Sequence, residues 1–128
     1  MSAVPPIPAQ WPGSDLEWMC YWVLTVVLKM KEGVDFSYQS SRFGGRTELG
    51  GIVLDFLMLD GSRIGIDIQG EHWHYGEAEQ IADAVLRRAR CQELGIELIF
   101  IDGDDISRNP IYYVREALAG VDHSRVKA

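Results

Sequence analysis

The spacing of hydrophobic residues along the chain predicts three long helices and four strands. The first helix begins at Ser14, continues to about Met30 and stops by Gly33. It is apolar nearly all round, which indicates burial on most sides. Ser14 and Glu17 match a capping box, in which the serine caps the helix and the glutamate is its third residue.

The second helix is predicted at residues 77–94, with Gly95 just past its end. Asn109 caps the third helix, Pro110 is its first residue and Gly120 follows it. The second helix is amphipathic, so one stripe of its surface should face the sheet. The predicted inner stripe consists of Ile81, Val85, Ala89 and then Cys91 or Gln92.

Strands are predicted at residues 34–40, 52–59, 63–69 and 96–101. A glycine-rich loop at residues 41–50 separates the first two strands. The last strand is an almost continuous apolar run, which is typical of a buried strand. The acidic residues that follow it, at 102–105, are typical of a solvated turn, although a third metal carboxylate could also lie there.

The second and third strands each carry an acid, Asp55 and Asp67, where an apolar residue is expected. A three-residue loop at 60–62 would set Leu59 opposite Arg63 and would therefore set Asp55 opposite Asp67. A two-residue loop would send the aspartates to opposite faces. We favour the three-residue loop, because a shared divalent cation would remove the repulsion between facing carboxylates. The alternative is that one aspartate simply faces solvent.

Other side chains suited to chemistry lie near this hairpin. Gln69 shares the face of Asp67, and Glu17 projects from the first turn of the first helix, where capping is the competing explanation. His72 and His74 flank Trp73, a combination that suits proton transfer and base stacking as well as ordinary packing. Arginines that could contact phosphates, or could simply be solvated, are Arg42, Arg46, Arg87, Arg88 and Arg90.

The composition of the chain argues against some classes of function and location. The chain has 128 residues and a formal net charge of −7, which argues against a protein that coats nucleic acid but not against a local basic patch. No apolar run is long enough to span a bilayer and no signal peptide is evident, so a cytoplasmic location is expected. Cys20 and Cys91 are expected to be buried thiols in a reducing compartment. We predict a proline-rich arm (1–13), one domain (14–120) and a frayed tail (121–128).

Three segments in order resemble a known family. They are Asp55-Phe56 in a hydrophobic strand, Gly70-x-x-Trp73-His74 about one strand later, and the run 92–95 before another hydrophobic strand. The chain resembles the PD-(D/E)XK (restriction-endonuclease-like) superfamily, and most closely its very-short-patch-repair (Vsr-like) endonuclease branch. The resemblance implies an α/β fold with an αβββαβ core, in which helices flank a mixed four-stranded sheet, plus a C-terminal helix.

The resemblance also implies roles for individual residues. Asp55 and Asp67, with the Ile68 backbone carbonyl, would bind Mg²⁺ or Mn²⁺. Gln69 takes the position of the usual lysine, and Leu54 that of the usual proline. The helix-borne acid would be Glu17 and the proton-transfer group His74, with His72 as the less favoured choice. For contacts with DNA, the resemblance implies Arg90, and the charge or aromatic ring of the side chain favours Arg42, Arg46, Trp73, Arg87 and Arg88.

The function expected from this resemblance is metal-dependent endonuclease hydrolysis of phosphodiester bonds in DNA. Two rival functions remain open, because glutamine cannot carry the lysine's charge. In the first, the domain keeps the nuclease fold, has weakened catalysis and only binds nucleic acid. In the second, it is an assembly or structural subunit. DNA is the expected partner, no membrane is expected, and a homodimer or larger assembly is left open.

Overall fold

Four strands form one mixed sheet in the computed structural model, which describes residues 4–38, 53–70 and 78–126. The strands lie in chain order; the first three are antiparallel and the fourth is parallel to the third. The strands are β1 (Phe36–Tyr38), β2 (Phe56–Met58), β3 (Ile64–Gln69) and β4 (Glu97–Asp102). The helices are α1 (Asp15–Trp22) with a π-helical continuation (Val23–Val27), α2 (Ala78–Glu93), α3 (Gly103–Arg108) and α4 (Pro110–Leu118). The predicted α/β architecture, a mixed four-stranded sheet flanked by helices, is confirmed.

The hairpin between β2 and β3 has the register of a three-residue loop. Phe56 pairs with Ile66 and Leu57 with Gly65. The same register places Leu59 opposite Arg63 and Asp55 opposite Asp67. Positive φ angles at Gly61 (90°) and Arg63 (61°) turn the chain. The predicted loop length is therefore confirmed.

The two faces of the sheet are covered by different elements. On one face, α1, its π-helical continuation and α4 pack over the larger core, which includes Phe36, Phe56 and Ile66. On the other face, α2 packs over a smaller core that includes Leu98 and Phe100. Because strand side chains alternate between faces, Asp67 and Gln69 belong to the α2 face. Asp55 lies just before β2, where its neighbour Leu54 also packs in the smaller core, so alternation does not assign Asp55 to a face.

The first helix begins where the sequence predicts and ends earlier. Ser14 Oγ accepts a hydrogen bond from the Glu17 amide at 3.1 Å, which confirms the N-cap. The helix then widens, with the Leu28 amide bonded to the Val23 carbonyl at 2.9 Å, and Lys29 ends it at a φ of 60°. Gly33, predicted to be the stop, lies in the following turn.

The proline-rich arm packs on the body of the protein. The Trp11 ring stacks on Tyr38 with centroids 4.9 Å apart, and Trp18 Nε1 donates to the Pro5 carbonyl at 3.3 Å. Val4 also joins the larger core. The arm therefore covers the N-terminal half of α1.

The orientation of α2 differs from the prediction. Val85 is 47% exposed and Ala89 is also exposed, whereas Ala84 and Cys91 are buried against the sheet. The predicted inner stripe is wrong at Val85 and Ala89, because Arg87 and Arg88 turn inward to reach carboxylates. Ion pairing therefore decides the rotation of this helix.

The segment after β4 and the C-terminal tail are more ordered than predicted. Asp102 is 2% exposed and ends β4, and α3 follows directly, so the prediction of a solvated turn at 102–105 is wrong. Asp122 accepts hydrogen bonds from Arg88 Nη2 at 2.8 Å and from the Phe100 amide at 3.1 Å. Val126 is buried in the smaller core. Residues 122–126 are thus packed on the sheet rather than frayed.

No helix in the described parts of the chain is long and apolar enough to cross a membrane. Asn109 caps α4 by accepting a hydrogen bond from the Tyr112 amide at 3.2 Å. Pro110 begins that helix, and Gly120 follows it with a φ of 83°. These boundaries of the last helix agree with the sequence prediction.

Candidate functional site

Asp55 and Asp67 are tied together across the start of the β2–β3 ladder. The Asp55 amide donates to Asp67 Oδ1 at 2.9 Å. In return, Asp55 Oδ2 accepts a hydrogen bond from the Ile68 amide at 2.8 Å. Each carboxylate therefore takes the place of a ladder carbonyl on the opposite strand. This exchange ties the two aspartates to each other across the ladder, in the register that the three-residue loop requires.

A cavity of about 320 Å³ opens over this pair, between the sheet and α2. Asp55, Asp67 and Ile68 line it together with Gln69. Because the Ile68 amide points toward the Asp55 side, regular strand geometry directs the Ile68 carbonyl to the same side. The predicted oxygen ligands therefore surround one space.

Glu17 lies on the other side of Asp55. Its Oε1 accepts a hydrogen bond from the Tyr38 hydroxyl at 2.5 Å. Tyr38 is almost fully buried beneath Trp11 of the arm. Gly13 passes so close to this pair that a Cβ there would collide with the Tyr38 hydroxyl and the Glu17 carboxylate. The arm and β1 thus hold the Glu17 side chain in place, while its backbone amide takes part in the helix cap.

The acids interact electrostatically. Burial, followed by the nearby charges of Asp67 and Glu17, raises the pKa of Asp55 well above its ordinary value; the Ile68 amide and Arg87 act in the opposite direction. Burial also raises the pKa of the Cys20 thiol, and the charges of Asp55 and Glu17 add to this effect. The Asp55 carboxyl group is therefore harder to ionise than an ordinary one, mainly because it is buried.

Arg87 of α2 reaches into the pair of aspartates. Its Nε lies 2.6 Å from Asp67 Oδ2, and its Nη2 donates to the Val53 carbonyl. The Arg87 side chain is 33% exposed and the Asp67 side chain 11%. In this structure Arg87 contacts the acidic pair, and its predicted phosphate contact stays a prediction.

The other two arginines of α2 have different surroundings. Arg88 Nη2 bonds to Asp122 Oδ2 at 2.8 Å, and the guanidinium lies over the Phe100 ring, 5.2 Å from its centroid. This arginine joins the tail to the sheet, and its predicted phosphate contact also stays a prediction. Arg90 is exposed. The three predicted phosphate arginines of this helix therefore do not form one basic patch.

Several predicted site residues lie outside the part of the chain that the structure describes. They are Arg42, Arg46, Trp73 and His74, together with His72. The predicted proton-transfer histidine, base-stacking tryptophan and loop arginines remain predictions. Among the described candidates, the structure brings together Glu17, Asp55, Asp67, Ile68, Gln69 and Arg87.

The sequence reasoning missed three residues of the site. Tyr38 orients Glu17, and Gln80 and Asp83 line the cavity. A signal for the latter two was present, because Gln80, Asp83 and Arg87 recur at helical spacing and form a polar stripe along α2. Tyr38 gave no such signal, since an alternating tyrosine in a strand is equally typical of ordinary packing.

The donor set suits a hard divalent cation, since carboxylate and carbonyl oxygens are the ligands that Mg²⁺ and Mn²⁺ prefer. A bound cation would favour the ionised form of Asp55, which burial and the neighbouring acids disfavour. Within residues 4–38, 53–70 and 78–126, no three His, Cys, Asp or Glu side chains are grouped closely enough to bind a metal by themselves. A cation here would therefore rest on Asp55, Asp67 and backbone oxygen.

Comparison with protein-family models, with curated proteins and with solved structures returned no match for this chain.

Proposed function

We propose that this protein is a metal-dependent endonuclease that hydrolyses phosphodiester bonds in DNA. The observation that carries the proposal is the pairing of Asp55 and Asp67, which are hydrogen-bonded across the ladder beside the Ile68 backbone and line one open cavity. Facing acids in a partly buried place are costly to folding, which points to a functional reason for keeping them.

The order of elements supports the proposal at the level of the fold. A helix, three antiparallel strands, a second helix and a strand parallel to the third reproduce the αβββαβ order of the PD-(D/E)XK nucleases. The acids lie on the first helix and on the second and third strands, as in that superfamily. Membership of the superfamily and of its Vsr-like branch remains part of the proposal, and it is an argument by analogy.

Each residue near the acidic pair has a proposed role. Asp55, Asp67 and the Ile68 carbonyl would hold Mg²⁺ or Mn²⁺, which would supply Lewis-acid activation of the scissile phosphate. Glu17, fixed by the Tyr38 hydroxyl, orients the attacking water. Gln69 positions the same water through its amide, because it cannot neutralise charge as a lysine would. His74 is the proposed proton-transfer group.

The decisive experiment is a cleavage assay on plasmid DNA and single-stranded DNA with Mg²⁺ or Mn²⁺. Asp55→Ala and Asp67→Ala should each abolish cleavage, because both remove a ligand from the same space. Asp60→Ala is the matched control, since Asp60 is an exposed acid in the loop of the same hairpin. Cleavage that survives both substitutions, or that needs no divalent cation, would reject the proposal.

A second candidate is a nuclease-fold domain that binds nucleic acid, or serves as a structural subunit, without cleaving. The specific observation in its favour is the Arg87–Asp67 ion pair, which already compensates part of the acidic charge. Gln69 and the net charge of −7 agree with it. DNA binding that persists in a metal chelator, by a folded chain that cleaves no substrate, would favour the binding domain. A concentration-dependent oligomer without affinity for nucleic acid would favour the structural subunit.

A further inference from the structure

Arg87 is the positive side chain that touches the acidic pair within the described residues. Its guanidinium is fixed by two acceptors on different elements, Asp67 Oδ2 on β3 and the Val53 carbonyl ahead of β2. It also lines the cavity that contains Asp55. Two hydrogen bonds to acceptors on different elements fix the orientation of the guanidinium, which a charge–charge attraction alone would not do.

The arginine and a divalent cation would need the same oxygen. Asp67 Oδ1 already accepts the Asp55 amide, so the Asp67 oxygen turned away from the ladder is Oδ2, the atom that Arg87 contacts at 2.6 Å. Two cations sharing one carboxylate oxygen repel each other strongly where solvent is partly excluded. Contact of Arg87 with Asp67 Oδ2 therefore weakens the binding of a divalent cation to the same oxygen, and the cation weakens the contact of Arg87.

We propose that Arg87 is a built-in counter-ion of the acidic pair that competes with the divalent cation for Asp67. The chain then has a resting state, in which Arg87 compensates Asp67, and a loaded state, in which the guanidinium has left Asp67. In the loaded state the guanidinium lies at the edge of the cavity and is available to a substrate phosphate. This inference rests on the metal site of the proposed function and adds a control on its affinity.

The test is calorimetric titration of Mg²⁺ and Mn²⁺ into the unmodified chain, Arg87→Met and Arg90→Met. Methionine keeps much of the side-chain length and removes the charge. Arg90→Met is the matched control, because it makes the same change three residues along the same helix at an exposed position. We expect Arg87→Met to bind the cation about tenfold more tightly than the unmodified chain, the effect of removing one partly solvated competing charge. Arg90→Met should bind as the unmodified chain does.

A second measurement avoids the risk that Arg87→Met fails to fold. In the unmodified chain, the arginine Nε–H resonance of Arg87 can be assigned by its loss in Arg87→Lys. Saturating Mg²⁺ should shift that resonance as the contact with Asp67 breaks, whereas the Arg90 resonance should stay in place.

The outcomes separate this inference from the proposed function. Tighter binding by Arg87→Met, with an unchanged Arg90→Met, supports the competition. Equal or weaker binding by Arg87→Met, in a chain that does bind the cation, overturns the competition and leaves the proposed metal site standing. An Arg87 resonance that does not move at saturation also overturns it. Absence of binding by all three proteins overturns both ideas together.

Discussion

Replacing Asp55 by asparagine should stabilise the protein in the absence of metal. Asparagine has nearly the same shape and keeps an oxygen that can accept the Ile68 amide, which now bonds to Asp55 Oδ2 at 2.8 Å. It removes the charge that burial, Asp67 and Glu17 disfavour. The substitution therefore isolates the electrostatic cost of the site from its packing.

The size of the effect follows from the register. Side chains directly opposite each other have Cβ atoms about 5 Å apart, and two unit charges at that separation repel by about 3 kcal/mol at an effective dielectric constant of ~20. Attraction to Arg87 offsets much of this repulsion. We expect a net gain of about 1–2 kcal/mol, which is typical of relieving strain at a functional site. For a chain of 128 residues, this corresponds to a rise of about 4–7 °C in melting temperature.

The pH dependence has a defined sign. A carboxyl group whose folded-state pKa is raised contributes stability below its unfolded-state pKa, and that contribution is lost as the pH rises through the folded-state pKa. The advantage of Asp55→Asn should therefore be small near pH 4 and should grow toward neutral pH. Thermal melts in chelator across this range measure it.

Asp60→Asn is the control, because it makes the same chemical change in the same hairpin at an exposed position. Asp60→Asn should lower the stability of the chain at neutral pH, the opposite of the effect expected for Asp55→Asn, because hydrogen bonds from Ser62 lower the pKa of Asp60. If Asp55→Asn is no more stable than the unmodified chain at neutral pH in chelator, the cost assigned to the charge of Asp55 is refuted. Adding Mg²⁺ should reverse the order of stability, because a cation at a hundred times its dissociation constant adds about 2.7 kcal/mol to the chain that binds it.

Three further substitutions test the supports of the site. Tyr38→Phe removes the hydroxyl that donates to Glu17 and should lower the free energy of unfolding, measured by chemical denaturation, by about 1–3 kcal/mol. Tyr21→Phe is its control. Equal cleavage activity in the two variants would argue against a role for Glu17. Gly13→Ala should lower stability by about 1–3 kcal/mol and shift the tryptophan fluorescence emission, because a Cβ at this position collides with the Tyr38–Glu17 pair. An unchanged emission spectrum would contradict the packing of the arm. Arg63→Met should lower the stability measured by thermal unfolding by about 1–2 kcal/mol, because it removes two hydrogen bonds to carbonyls just past α2. An unchanged stability would show that these two hydrogen bonds do not stabilise the fold.

The hairpin shows how far local sequence rules extend. The sequence left a two-residue or a three-residue loop open; once the three-residue loop is chosen, its parity places Asp55 opposite Asp67, and the observed register agrees with that choice. The caps at Ser14 and Asn109 were equally local, since each needs only an oxygen close to the first amides of its helix. The core of the candidate site could therefore be predicted from the sequence.

The rotation of α2 could not be predicted in the same way. The helix carries an apolar stripe, which includes Val85, and a polar stripe, which includes Arg87, and periodicity does not say which one faces the sheet. Asp67 and Asp122 decided the matter, because buried carboxylates need cations more than the exposed aliphatic side chains need cover. These partners lie 20 and 34 residues from the arginines that they bind.

The sequence by itself determined the order of elements and the caps of the helices, because each depends on contacts within a few residues, and it reduced the hairpin to two possible registers. Only the tertiary structure decided that Arg87 occupies the acidic pair, that Tyr38 holds Glu17, and that residues 122–126 are packed on the sheet. Each of these depends on which distant groups share a space sheltered from water. There the cost of an uncompensated charge, rather than local propensity, selects the arrangement.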